Sequence, residues 1–394
     1  MTSPDPEFLK NPYNWYRQIQ GQPGLPPDGN GSVMVSRYAE VRAVLADRRF
    51  GHNTFWSEEG VAWLEQNPAA EIQTHWMLLK NPPDHRRLRR LVENVFTPAK
   101  IRALEPRIEA LTRELLEGLK NKSQFDLMSE FAVPLPVTVI AELLGIPEID
   151  RSSFKGWADA LAPTLEMGNI SQQQMDHANF AASAMREYLC ILAEKRRLEP
   201  QDDLISVLVK GVSDEEATKF SLDELFGTCN LLLIAGHETT TNLIGNGMLA
   251  LLQNPAQLER LRENPDLCEN AIEELLRFDA PVQFTSRVAL EDSEVGGVAV
   301  LKGSWVTLML GAANRDPAQF ENPDSLELGR EGVRPLSFGH GIHFCLGAPL
   351  ARAEARFAFQ GLLELGPTLK LGTGGFIHKP LLTLRGLEHL HVQL

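Results

Sequence analysis

Apolar residues recur along most of this chain at three- and four-residue spacing and alternate only in short stretches, which predicts a mainly α-helical protein with a smaller β-rich part. Val33 to Tyr38 reads as a short strand leading into a helix near Ala39 to Ala46. Pro82-Pro83-Asp84 is a helix-start signal, and Leu88, Leu91, Val92 and Val95 mark the buried stripe of the helix it opens. His85 and Arg89 lie four apart along one edge of that stripe, while Arg86, Arg87 and Arg90 face elsewhere. From Ile101 to about Leu198 the pattern predicts a succession of amphipathic helices. Two of them, near Arg151 to Glu166 and Gln172 to Arg197, flank a candidate mobile loop at Gly168-Asn169-Ile170-Ser171. Ser221-x-x-Glu224 is a capping box, and the stretch it opens stays apolar nearly all round until Asn254-Pro255 stops it after Gln253. At about 1.5 Å per residue that is a buried helix roughly 50 Å long.

The remainder mixes helix and strand. Asn264-Pro265-Asp266 begins a helix that places Glu274 and Arg277 on one face, and Asp279-Ala280-Pro281 ends it. Val282 to Ala289 reads as an extended strand, and Glu291 to Leu310 as short strands around turns at Gly296-Gly297 and Lys302-Gly303. Asn322 to Pro335 is irregular, Ala351 to Leu365 is helical, and the tail at Leu382 to Leu387 and Leu390 to Val392 reads as closing β-structure. No repeat, low-complexity tract or linker divides the chain, which predicts one large domain over residues 1–394.

Composition narrows the classes. With 394 residues, 43% hydrophobic and 23% charged, the chain can bury a large core and does not have the make-up of a disordered protein. A net charge of -14 argues against a general nucleic-acid surface and against binding to anionic lipid. Met1 to Gln20 holds Asp5, Glu7, Lys10 and Arg17 and no signal-peptide core. The most apolar later stretches, Phe131 to Ile146 and Leu231 to Ala235, are broken by proline or charge or are too short to span a bilayer. These features predict a cytoplasmic protein without a membrane partner. Cysteines 190, 229, 268 and 345 form no CxxC pair, which fits a reducing compartment, and the first three read as plain core or surface residues.

Two stretches conflict with their surroundings. The middle of the long helix reads Ala235-Gly236-His237-Glu238-Thr239-Thr240-Thr241-Asn242, placing an acid and several hydroxyls where the rest is apolar. Burying them costs several kcal/mol unless partners or waters satisfy them, and such conflicts often mark function. They also fit a wet groove, or hydroxyls bonded back to carbonyls one turn earlier. The second stretch, Ser337 to Glu354, places Cys345 between a glycine-rich loop and residues from Leu346 onward that favour helix. A helix N-terminus favours thiolate over thiol, and Phe338 and Phe344 would shield the sulfur, a setting that suits a soft metal. By itself Cys345 reads first as a small buried apolar residue. His340, His343 and Cys345 also suggest a zinc or copper set, in awkward geometry.

Phe-Gly-His-Gly-x-His-x-Cys-Leu-Gly followed by Ala-Arg-x-Glu, at 338–354, resembles the haem-binding loop of the cytochrome P450 superfamily as worded in soluble bacterial members. Ala-Gly-x-Glu-Thr-Thr at 235–240 resembles that family's oxygen-activating segment, and Glu274-x-x-Arg277 its buried structural pair, usually completed by a second arginine, for which Arg315 fits. The likeness covers roughly Arg37 to the C-terminus. It implies the P450 fold, with the haem-thiolate loop at about 337–347 and the long central helix at about 221–253. Haem b would be held by Cys345 as iron ligand, with His85, Arg89 and Arg287 toward its propionates and Ala235, Gly236, Phe338, His343 and Gly347 around it. Gly236 would leave room beside the iron, and Glu238 and Thr239 would deliver protons.

The activity implied is monooxygenation of a hydrophobic small molecule, such as a terpenoid, steroid, polyketide or fatty acyl compound. Leu231, Ile234, Ala235, Val282, Gln283, Thr285, Gly386, Leu387 and the segment near Gln73 to Leu79 would line its pocket. Electrons would come from NAD(P)H through a separate ferredoxin or flavodoxin docked at Arg86, Arg87, Arg90 and Arg352, and the enzyme would be a monomer. A peroxide-driven peroxygenase or a non-catalytic haem protein would not need Glu238 and Thr239, and a zinc or cysteine hydrolase would lack haem.

Overall fold

The computed structural model describes residues 6–22, 33–52, 58–166, 170–210 and 221–394, so Gly168 and Asn169 of the candidate loop lie outside the described residues. The described chain is mainly helical, with nine short strands in three sheets. Its contacts group it into two compact units. One comprises Met1–Gly51, Arg102–Leu135 and Thr239–Leu394, the other His52–Ile101 and Pro136–Glu238. Neither is contiguous in sequence, which is why no linker is visible.

The first unit holds all the strands. β1 (Val33–Val35), β7 (Trp305–Met309), β4 (Phe284–Ala289) and β2 (Phe50–Gly51) lie side by side in that order, with β1 parallel to β7 and the other pairs antiparallel. Val306, Leu308 and Met309 of β7 are all fully buried and Thr307 between them nearly so, as in a strand covered on both faces. Val35, Tyr38, Val41, Leu45 and Phe320 form the core beside it. β5 (Ser293–Val295) and β6 (Val298–Val300) are joined by Gly296 and Gly297, whose φ values of +56° and +81° make the tight hairpin turn read from the sequence.

β3 (Gln124–Asp126) was not signalled by the sequence. It pairs with β9 (Leu387–Gln393), which pairs in turn with β8 (Lys370–His378). Residues 382–386 add only one bridge, Leu384 to Val282, so the tail is less regular than its composition predicts.

The second unit is helical. Asp84–Glu93 is a helix that buries His85, Leu88 and Val92; it stops two residues short of Val95, so Leu91 and Val95 are only half-buried. Gln172–Leu198 starts with a complete capping box between Ser171 and Gln174. Its buried face runs Ala178, Ala181, Ala182, Met185, Leu189, where small residues permit close helix contacts. Arg196 ends it by donating to Asp203 Oδ2 and to Gly145 O at 2.8 Å.

The long helix spans Leu222–Gln253, 32 residues. The Ser221 and Glu224 capping box is made in both directions, at 3.1 and 3.0 Å, and Asn254 closes the other end by donating its side-chain amide to Ala250 O at 2.8 Å. No helix among the described residues is long and apolar enough to cross a membrane.

Candidate active site

In the first unit the cysteine loop is built onto the helix Cys268–Phe278. Ser337 Oγ donates to Leu276 O at 2.7 Å and accepts from Asn314 Nδ2 at 2.8 Å, while Asn314 Oδ1 takes the Leu336 amide at 2.7 Å. The chain then turns through Gly339 and Gly341, with φ of +70° and +72°. At Gly341 a Cβ would stand 2.4 Å from Leu45 O, so both backbone angle and space demand glycine.

The Cys345 amide donates to Phe338 O at 2.9 Å and closes the loop. The half-buried thiol sits beside Phe338 and Phe344, whose ring centroids are 6.4 Å apart. The following helix begins at Ala348, not Leu346, because Gly347 is its cap; Cys345 therefore precedes the helix instead of opening it. Phe344 is 40% exposed and shields less than expected. His343 and Gly347 are half-buried within the same loop.

No cysteine is disulfide-bonded. Burial pushes the Cys229 thiol up to about 12 and Cys268 up to about 11, so both are inert hydrophobes. His340, His343 and Cys345 do not bring their donors together; the only converging set of metal-binding side chains among the described residues is elsewhere. The zinc or copper reading of this loop therefore fails.

Arg287, on β4, is 4% exposed. It donates to Ser286 O at 2.7 Å and to Thr285 Oγ1 at 3.4 Å, and no carboxylate pairs with it among the described residues. Burial alone pulls its guanidinium down to about 10. A buried cation without an acid is costly, and the arrangement calls for an anion from outside the chain.

On the long helix Leu231, Leu232, Leu233 and Ile234 are buried, then Ala235 is exposed and Gly236 and Thr239 are half-buried, while Thr240 and Thr241 are buried again. Thr241 donates to Ala132 O at 3.1 Å, which leaves Thr239 as the hydroxyl on the less buried side. A Cβ on Gly236 would lie 2.9 Å from the Ile140 side chain, so this glycine admits a neighbouring helix. Glu238 is 4% exposed, with His237 and Asp159 beside it. His85 is buried and Arg89 half-buried on the Asp84–Glu93 helix of the second unit, to which Ala235, Gly236 and Glu238 also belong.

Several expected pocket residues make contacts within the chain. Gln283 is buried as a structural strut, accepting from Tyr16 Oη at 2.7 Å and donating to Ala280 O at 2.6 Å. Val282 packs on the β-sheet core, and Leu387 is fully buried, with the long helix passing close at Gly245. Gly386 lies directly against Asn242. Thr285 is half-buried, and Gln73 donates to Thr164 at 2.6 Å in the second unit.

Arg315 does not complete the Glu274 pair. It donates to Asp324 Oδ1 at 3.0 Å and to Phe278 O, sandwiched 3.8 Å from the Tyr13 ring and 4.0 Å from Phe278. Arg330 takes that place, donating to Glu274 Oε1 at 3.3 Å while Arg277 holds both carboxylate oxygens at 2.6 and 2.7 Å. Arg330 lies in the irregular stretch, where no periodicity singles it out.

Arg86 and Arg90 are exposed, but Arg87 is occupied by Glu224, at 3.0 Å for one of its two bonds. Arg352 donates to Glu273 at 2.5 Å and stacks 4.6 Å over Phe338. Neither of these two is an unengaged charge.

The cytochrome P450 family model matches residues 161–365. A biotin biosynthesis cytochrome P450 of Bacillus subtilis is 42% identical over 98% of this chain and 97% of its own length. The 6-deoxyerythronolide B hydroxylase of Saccharopolyspora erythraea is 37% identical over 100% of this chain and 99% of its own. The crystal structure of P450BioI in complex with an acyl carrier protein ligated to hexadec-9Z-enoic acid superposes with a TM-score of 0.93 at 41% identity, covering 98% of this chain and 99% of that one. With the thiol loop, the buried Glu274-Arg277 pair and full-length likeness in agreement, this chain belongs to the cytochrome P450 family of monooxygenases, which use haem b, dioxygen and NAD(P)H-derived electrons delivered by redox partners.

Proposed function

We propose that this protein hydroxylates a fatty acyl chain, with Cys345 as the ligand to haem iron and Arg287, His85 and Arg89 holding the propionates. The observation that carries the cofactor assignment is Arg287, a cation 4% exposed with no acid partner among the described residues, in the same unit as a half-buried thiol. Haem supplies a soft metal for the sulfur and carboxylates for the guanidinium. When bound, haem b supplies the redox chemistry that splits dioxygen and inserts one oxygen atom into a C–H bond.

The chain's own contribution is placement and proton control. Ala235, exposed on the long helix, and Thr285, half-buried on β4, present small side chains to the substrate. Glu238 holds a proton at its carboxylate oxygens and passes it toward the Thr239 hydroxyl, its sequence neighbour on the long helix. The buried flank Leu231 to Ile234 keeps bulk water from that part of the helix. A ferredoxin or flavodoxin docks at Arg86 and Arg90, the exposed arginines of that cluster.

The acyl reading rests on the biotin biosynthesis relative and on the solved complex carrying hexadec-9Z-enoic acid on its carrier protein. A polyketide is the competing class, named in a Bacillus subtilis relative 40% identical over 92% of this chain. Titrating the haem-loaded protein with C12 to C18 fatty acids, free and as carrier-protein thioesters, and with macrolactones separates the two. A saturable shift of the Soret band with acyl chains alone is the expected result. A shift with macrolactones and none with any acyl chain would overturn the proposal.

A further inference from the structure

One converging set of donors in the second unit has a geometry that proton handling does not require. The ligand atoms of Asp159, His237 and Glu238 all lie within 4.8 Å of one another. His237 is 2% exposed, and its Nδ1 stands 2.8 Å from Leu233 O. A carbonyl can only accept, so Nδ1 carries a proton, and the tautomer with its lone pair on Nε2 is the one this bond supports.

That buried Nε2 has no hydrogen-bond partner. It faces Asp159 Oδ1 at 3.6 Å and Glu238 Oε2 at 3.8 Å, distances too long for hydrogen bonds. Tetrahedral zinc with ligands at about 2.0–2.1 Å sets its donors about 3.3–3.4 Å apart, about half an ångström or less below the two histidine distances, and the two carboxylates stand within 4.8 Å of each other. A backbone carbonyl on the far ring nitrogen is also the usual support of a metal-binding imidazole.

Asp159 is exposed and gives an entry path from solvent. Lys155 engages its other oxygen, Oδ2, at 2.5 Å and leaves Oδ1 toward the histidine.

We propose that Asp159, His237 and Glu238 form a binding site for a divalent transition cation, zinc above all, tying the Arg151–Leu161 helix to the long helix. A filled site also occupies the Glu238 carboxylate and slows turnover. That second consequence rests on the proton role proposed above; the binding itself does not.

The test uses haem-loaded enzyme stripped with chelator and dialysed against zinc. Wild type retains one zinc ion more per chain than either Asp159→Asn or His237→Gln, with the Soret band of each variant confirming an intact fold. Anomalous diffraction at the zinc edge places that ion between residues 159 and 237. Equal zinc in wild type and both variants, or an anomalous peak only elsewhere, overturns the site. Zinc bound there without slowing turnover leaves the site standing and refutes the proton role of Glu238. Inhibition of wild type but not of Asp159→Asn supports both.

Discussion

Replacing Arg287 by leucine has opposite effects on the apoprotein and on the haem-loaded enzyme. Burial holds the guanidinium down at about 10, with no carboxylate to offset it among the described residues. Against the ordinary guanidinium value, at about 1.4 kcal/mol per pH unit, this corresponds to ~3 kcal/mol of cost to the folded apoprotein. The unfolded chain binds more protons than the folded one only above pH 10. Stability from this group therefore rises with pH beyond that point, and the full cost is present at pH 7. Leucine removes that cost and also two hydrogen bonds, to Ser286 O at 2.7 Å and Thr285 Oγ1 at 3.4 Å, together about 1–2 kcal/mol.

The apo variant should accordingly be about 1–2 kcal/mol more stable in urea unfolding at pH 7, with a difference constant from pH 5 to 9. With haem bound the sign reverses. A charged hydrogen bond of about 1.5–3 kcal/mol is lost, so haem transfer to an apoglobin acceptor should speed up roughly 10- to 100-fold. A less stable apo variant would show that Arg287 has a partner within the chain. Unchanged haem transfer would show that it faces no propionate.

Thr239→Ala should consume reductant at a near-normal rate but divert it to peroxide, because the hydroxyl beside Glu238 is lost while the long helix stays capped at both ends; full coupling between reductant and product would remove Thr239 from proton handling. Arg330→Ala and Arg315→Ala, each crossed with Glu274→Gln in a double-mutant cycle, separate the two candidate partners of the buried carboxylate. Arg330 should couple to Glu274 by about 1–3 kcal/mol and Arg315 by less than about 0.5 kcal/mol; the reverse order would restore the pairing suggested by the motif alone.

Motifs that act between chain neighbours were legible in the sequence, and those that depend on distant partners were not. The long helix is bounded by a capping box at one end and Asn-Pro at the other, both local devices, and it runs as read. The hairpin at Gly296-Gly297 and the Glu274-Arg277 pair are equally local. The thiol loop was recognisable for the same reason, since its glycines answer backbone demands made within a few residues.

Errors began where a side chain chooses between partners far away in the chain. Arg315 and Arg330 are both arginines within reach of the helix carrying Glu274; only packing sends the first between Tyr13 and Phe278 and the second to the carboxylate. Gln283 directly precedes β4, and it turns to Tyr16, 267 positions away. The close approach of Ile140 to Gly236 is likewise invisible in the sequence.

By itself, then, the sequence determined which segments are helix or strand, where the thiol sits and which family the chain resembles. These follow from capping, periodicity and turn geometry, whose forces act over a few residues. Only the tertiary structure decided which buried charge meets which, that Arg287 has no acid partner among the described residues, and that Asp159 stands beside His237. Burial sets the strength of those interactions, and burial exists only once distant segments have packed.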